Sequence, residues 1–149
     1  MAHVLETGFE ILQRDNPNGS PTVMGYNIIN GELRSSSDGE TFESRNPAWT
    51  DDCLGVFPLS TKKDVHDALE SARDAFSEWS RTPAPSRGQI IGNMGRLLME
   101  YKDDIVRVET REIGKTLKES AGEVQEAIDT CLFFQSEGRR LYGQTVNSE

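Results

Sequence analysis

From Val65 to Leu141 the apolar residues recur at intervals of three and four, and the run is punctuated by proline at Pro83 and by glycine at Gly114. That spacing is the mark of amphipathic helices, so this part of the chain must be helical and must cover one face of each helix with something else. The punctuation divides it into three. Val65, Ala68, Leu69, Ala72, Phe76 and Trp79 make one face of a first helix over about 61–81, opened by Thr61 with Asp64 three positions on as a capping pair and stopped before Pro83. A second covers about 86–113, with Ser86 and Gln89 as a capping box and Ile90, Met94, Leu97, Leu98, Tyr101, Ile105 and Val108 along it. At ~1.5 Å per residue it reaches about 40 Å. A third spans about 120–141, with Val124, Ile128, Cys131, Leu132 and Gln135 on one side and the carboxylates Glu119, Glu123, Glu126 and Asp129 on another. Two pairs have the spacing to cap it, Thr116 with Glu119 and Ser120 with Glu123.

The residues before this run follow other rules. Residues 1–25 hold the NPNGSP turn cluster and no sustained period, which predicts a loosely ordered extension with one helical turn around Phe9 to Leu12. At Tyr26 the chain becomes strand-prone. Asn30-Gly31 is suited to the positive dihedrals of a tight hairpin turn, and further strands are predicted over Thr41 to Arg45, closed by Asn46-Pro47, and Cys53 to Pro58. Together they predict a small antiparallel β patch over 26–58.

Composition removes several function classes. Among 149 residues, 25 are acidic and 16 basic, a net charge of -9 with no basic stripe, so nucleic acid and anionic membrane are not partners. The first fifteen residues carry charge throughout and form neither a signal peptide's apolar core nor a membrane span. Cys53 and Cys131 are far apart, and His3 and His66 give them no zinc-ligand spacing. Free thiols in a reducing cytoplasm are the expectation. The acidic stripe Glu119, Glu126 and Asp129 reads as a solvated helix face, not a divalent-ion site, and Phe133, Phe134, Trp49 and Trp79 read as core or packing surface.

One motif points elsewhere. Gly114-Lys115-Thr116 matches the end of a phosphate-binding loop, G-x-x-x-x-G-K-[ST]. The position five before Gly114 is Glu109, a carboxylate where the phosphate would approach, and a helix replaces the required strand. Gly114 instead stands where a left-handed glycine ends one helix, and Thr116 where the next begins.

Several stretches in order resemble the N-terminal region of the NAD(P)-dependent aldehyde dehydrogenase superfamily. They are IINGEL at 28–33, NP at 46–47, the Lys63-Asp64-Val65 helix start, AFSEWSRTPAPSRGQII at 75–91, ETREIGKTLKE at 109–119 and GEVQEAIDTC at 122–131. Each is short; their order and spacing over 26–149 carry the resemblance. PAPSRG and GEVQEAIDTC are most similar to the antiquitin, or α-aminoadipic semialdehyde dehydrogenase, subfamily.

The resemblance implies an α/β fold with a Rossmann-type cofactor domain, a catalytic domain and a bridging oligomerisation hairpin. Residues 26–143 would be the first part of the cofactor domain, and residues 144–149 the start of the bridging strand. It implies an enzyme that uses NAD or NADP to oxidise an aldehyde, a semialdehyde in particular, through a thiohemiacetal, as a cytoplasmic homo-oligomer, dimer or tetramer. The nucleophile, general base and cofactor turn of that family fall outside these 149 residues, since neither DDCLGVF nor AIDTCLFF matches the catalytic cysteine motif. No catalytic residue, no cofactor-binding residue and no independent activity or NAD(P) binding are therefore expected of the chain alone.

Two positions carry implied roles. Glu123, opening the EVQE part of the last motif, falls where the antiquitin pattern binds the polar tail of the substrate near the aldehyde entrance. Glu112 falls where some relatives have an acidic residue beside a structural monovalent cation; read from its own surroundings it is a solvent-facing residue in the last turn of the second helix. The competing function is a stand-alone, non-catalytic helical interaction module derived from the same family. A chain of these helices without the sheet they are built to cover is expected to be marginal, partly molten or self-associating.

Overall fold

Strands of three residues survive only by pairing, and the first two, β1 (Glu10–Leu12) and β2 (Thr22–Met24), pair antiparallel in the computed structural model, which describes residues 10–12, 19, 22–140, 142 and 143. Glu10 to Leu12 are thus a strand where a helical turn is expected from sequence. Three residues carry no period to distinguish the two, and the partner at Thr22 to Met24 decides. The rest of the extension and the strand expected at 144–149 lie outside the described residues.

Asn30 and Gly31, with φ of 55° and 74°, turn β3 (Asn27–Ile29) back into β4 (Glu32–Arg34) with Ile29 opposite Glu32. Two adjacent positive dihedrals match the right-handed twist of the strands they join. This hairpin is a sheet of its own. The larger sheet runs β1-β2-β6-β5, where β5 is Thr41–Arg45 and β6 is Cys53–Pro58. β6 pairs antiparallel with β5 but parallel with β2, so the patch is mixed, not antiparallel throughout. Four residues of β6 in succession, Cys53 to Val56, are buried, and the fully buried Thr22 hydroxyl donates to the Cys53 carbonyl at 3.1 Å.

Helix α1 (Lys62–Trp79) begins where its capping pair predicts: the Thr61 N–H donates to Asp64 at 2.7 Å, and the Thr61 hydroxyl accepts from the Asp64 N–H at 3.4 Å. Among the described residues, those up to 79 together with 109–115 form one compact unit, and 80–108 together with those from 116 onward form a second.

The second unit differs from its sequence expectation in two ways. Its first helix, α2 (Ala84–Glu100), starts ahead of the Ser86–Gln89 box, with Pro85 in the first turn and no side-chain cap. Proline's fixed φ and missing N–H suit that place, so no serine cap is required. The single long helix expected over 86–113 is also two, because the chain breaks at Tyr101 and resumes as α3 (Lys102–Ile113). The Tyr101 N–H still bonds the Leu97 carbonyl, while its own carbonyl accepts from Asp104 and Ile105. Asp103 and Asp104 place negative charge at the new N-terminus, where the helix dipole favours it. Among the described residues there are therefore four helices, the last being α4 (Leu117–Glu137).

α2 and α4 meet through glycines. Gly88, Gly92 and Gly95 are the buried residues of α2, and a Cβ on them would stand 2.4 Å from the Gln135 carbonyl oxygen, 2.1 Å from the Gln135 side-chain oxygen and 2.8 Å from Cys131 Cβ. The small core of this unit is Val106, Val124 and Ile128 with Leu98, Ile105 and Ala121 against it.

Much of the apolar periodicity is not covered. Val65, Leu69 and Phe76 on α1, and Ile90, Met94 and Leu97 on α2, are about half exposed or more. Trp49, Trp79, Phe133 and Phe134, expected as core or packing surface, are likewise exposed by 41 to 58%.

Candidate functional site

Thr116 sets the frame of α4. Its hydroxyl accepts from the Glu119 N–H at 3.3 Å, and the Glu119 carboxylate accepts from the Thr116 N–H at 3.1 Å, a complete capping box. Of the two pairs with the right spacing, this one caps the helix. Ser120 is fully buried inside the first turn, and Glu123 lies mid-helix, so Glu123 is not a capping residue.

Glu123 is exposed on a shallow open depression lined by Thr116, Lys118, Glu119, Gly122 and Glu126. A second depression continues from Gly122 and Glu126 along Gln125, Asp129, Thr130, Phe133 and Phe134. The two aromatic rings stand edge to face at 5.3 Å. Lys102 Nζ donates to Gln125 Oε1 at 2.7 Å, and Gln125 Nε2 donates to Asp129 Oδ1 at 2.9 Å, which ties this face to the start of α3. The outer side of α4 thus presents Glu119, Glu123, Glu126 and Asp129 against two lysines, Lys118 and Lys102, with an aromatic pair at its far end. Such a face attracts an ammonium group and repels a carboxylate.

The other named positions do not join it. Glu112 is exposed in the last turn of α3. Among the described residues no group of three or more His, Cys, Asp or Glu gathers to hold a metal. Cys53 and Cys131 form no disulfide and are buried, with 5 and 6% of each residue exposed. Gly114 has φ of 76°, and its N–H bonds the Thr110 carbonyl at 2.9 Å. A Cβ there would stand 2.9 Å from Pro47, so this glycine ends α3 and admits the Asn46-Pro47 turn. It does not cradle a phosphate. Among the described residues no helix is long and apolar enough to cross a membrane.

Two polar clusters escape the sequence. Fully buried Asp52 accepts from Arg111 through both oxygens, at 2.7 and 3.0 Å, a bidentate pair 59 residues apart in the chain. Nothing local in either segment announces it. Asp64, expected only as a cap, also accepts from the Ser37 N–H at 3.1 Å and hydroxyl at 3.3 Å, and from the Ser36 hydroxyl at 3.4 Å. The Thr61 N–H above all, then the Ser37 N–H and the hydroxyls of Thr61 and Ser37, holds its carboxyl down from 3.8 to about 2 against burial, which raises it.

The aldehyde dehydrogenase family model matches residues 33–149. The chain is 40% identical over 117 residues to an α-ketoglutarate semialdehyde dehydrogenase of Haloferax volcanii, covering 78% of this chain and 24% of that one. It is 38% identical over 120 residues to a malonate-semialdehyde dehydrogenase of Bacillus cytotoxicus, covering 80 and 24%. A crystal structure of a Staphylococcus aureus betaine aldehyde dehydrogenase double mutant in complex with NAD+ superposes with a TM-score of 0.75 at 26% identity, covering 83% of this chain and 25% of that one. The chain thus spans about a quarter of the length of the relatives it matches, and its mixed α/β fold is theirs.

Proposed function

The chain belongs to the aldehyde dehydrogenase family, and from that premise we propose that it forms the N-terminal segment of an NAD(P)-dependent enzyme that oxidises a semialdehyde to the carboxylic acid. The observation that carries this is the family match over 33–149 together with semialdehyde dehydrogenases among the relatives. A non-catalytic helical module is not favoured by it. When bound, the nicotinamide cofactor accepts the hydride. The chain's own thiols are buried, and a nucleophile must reach its substrate, which supports the proposal that these 149 residues alone do not catalyse. No cofactor contact is assigned to them. Residues 26–143 are proposed as the opening part of the cofactor domain, in a cytoplasmic homo-oligomer.

Within this proposal Glu123 binds the substrate's tail through an ammonium group. The carboxylates along α4 support that choice: the aldehydes in the names of the two semialdehyde dehydrogenases carry a carboxylate, which this face would repel. An amino-semialdehyde of the antiquitin type fits better, because its tail sets an ammonium group beside its carboxylate and the ammonium can pair with Glu123. The test follows NAD(P)H formation by the whole protein carrying this segment. Turnover with α-aminoadipic semialdehyde is expected, with a KM raised about tenfold and little change in kcat in Glu123→Gln, the loss of one charged contact of about 1.4 kcal/mol. No turnover of any semialdehyde would refute the function; preference for succinic semialdehyde, indifferent to Glu123→Gln, would refute only the role of Glu123. Turnover by the 149-residue chain itself would overturn its proposed inactivity.

A further inference from the structure

We propose that Ser37 is a site of phosphorylation by an acid-directed protein kinase, and that its phosphate releases the cap of α1. Three serines stand in a row at Ser35, Ser36 and Ser37, and the structure separates them. Ser36 is buried, its hydroxyl bonded to Asp38 at 2.7 Å and to the Leu59 carbonyl at 2.9 Å. Ser35 and Ser37 are exposed, but only Ser37 is followed by carboxylates both one and three residues on, Asp38 and Glu40, and both of these are exposed. The segment is a turn closed by the Gly39 N–H on the Ser36 carbonyl at 3.0 Å, with Gly39 at φ of 79°. A kinase groove lined with basic side chains would read those two carboxylates.

Phosphate at this position acts on a defined contact. The Ser37 hydroxyl lies 2.7 Å from the Thr61 hydroxyl and 3.3 Å from Asp64, and its N–H donates to both Asp64 oxygens at 3.1 and 3.2 Å. In the transfer Ser37 Oγ forms a bond to the γ-phosphorus of a nucleoside triphosphate. The bond to the β–γ bridging oxygen breaks, the diphosphate leaves, and the kinase's base takes the hydroxyl proton. A hydroxyl donor to Asp64 thereby becomes a dianion beside an ionised carboxylate, and like charge opens the pair. Asp64 is the residue that also accepts the Thr61 N–H, so the capping box of α1 is the element disturbed.

The experiment treats the full chain with magnesium, adenosine triphosphate and an acid-directed serine/threonine kinase, maps the phosphate by peptide mass spectrometry and follows amide exchange in the first turn of α1. One phosphate at Ser37 is expected, absent from Ser37→Ala and incorporated at least fivefold more slowly in Glu40→Gln, with exchange at Val65 and His66 at least tenfold faster after modification. Phosphate confined to Ser35, no incorporation, indifference to Glu40→Gln, or unchanged exchange in α1 would each overturn the proposal.

Discussion

At the scale of the residue, two carboxylates that the fold buries behave differently under test. Asp64 has a folded pKa of about 2 against 3.8, so its contribution is complete above about pH 4. Because the folded value is the lower one, that contribution is lost as pH falls through 3.8 toward 2. The stability difference between the native chain and Asp64→Asn, from urea unfolding at successive pH values, is expected to be constant above pH 4 and to shrink below it; a difference unchanged down to pH 2 excludes the depressed pKa. Asp52 is held by the bidentate Arg111 guanidinium. Arg111→Met leaves a fully buried carboxylate without its bidentate cation, and should cost about 3–5 kcal/mol, whereas adding Asp52→Asn to it should recover a large part of that loss. Equal loss in the single and double variants would mean that the arginine stem, not the charge, does the holding. The Thr61–Asp64 cap is visible in the sequence because its partners stand three residues apart. Ser37 and Arg111 are found only in the structure, since nothing in a local window selects a partner 27 or 59 residues away.

At the scale of the element, the α2–α4 seam separates glycine's two meanings. A glycine in an exposed helix interior is a weakness, and Gly122 on α4, with open space around it, should gain about 0.8 kcal/mol on change to Ala. Gly88 has the same helical backbone but faces the Gln135 carbonyl oxygen at 2.4 Å, an atom of the opposite backbone that cannot rotate away. Gly88→Ala should therefore cost about 2 kcal/mol in spite of alanine's better propensity. Gly92→Ala should cost less, because it meets the end of a flexible side chain. Thermal unfolding of the three variants checks the order; destabilisation by Gly122→Ala, or none by Gly88→Ala, would break it. The spacing of Gly88, Gly92 and Gly95 was the available signal for this contact, and a search for apolar stripes passes over residues that have no side chain. The break at Tyr101 was hidden for a related reason. The apolar period runs through it, and only Asp103-Asp104 hints at a second N-terminus.

At the scale of the whole molecule, the apolar periodicity marked helical segments whose apolar stripes stay largely exposed in this chain. The hairpin turn, strands β5 and β6, the start of α1 and the stop at Gly114 were all legible, because each is fixed by neighbours within a few residues. What covers Val65, Leu69 and Phe76 is a longer-range matter, and in this chain they are 54, 62 and 65% exposed. A stripe of that kind on a helix otherwise well formed makes a measurable surface. The chain at micromolar concentration should raise the fluorescence of an apolar-surface dye severalfold and should self-associate on ultracentrifugation. Replacing all three with Gln should lower both signals by half or more and leave far-ultraviolet circular dichroism unchanged, because these side chains contribute little to burial within the chain. If the triple substitution instead collapses the helical signal, the stripe is being used inside the chain, and the exposure of α1 is wrong. If dye binding persists at full strength with α1 intact, the comparable stripe Ile90, Met94 and Leu97 on α2 is the dominant surface, and the same substitution there should then remove it.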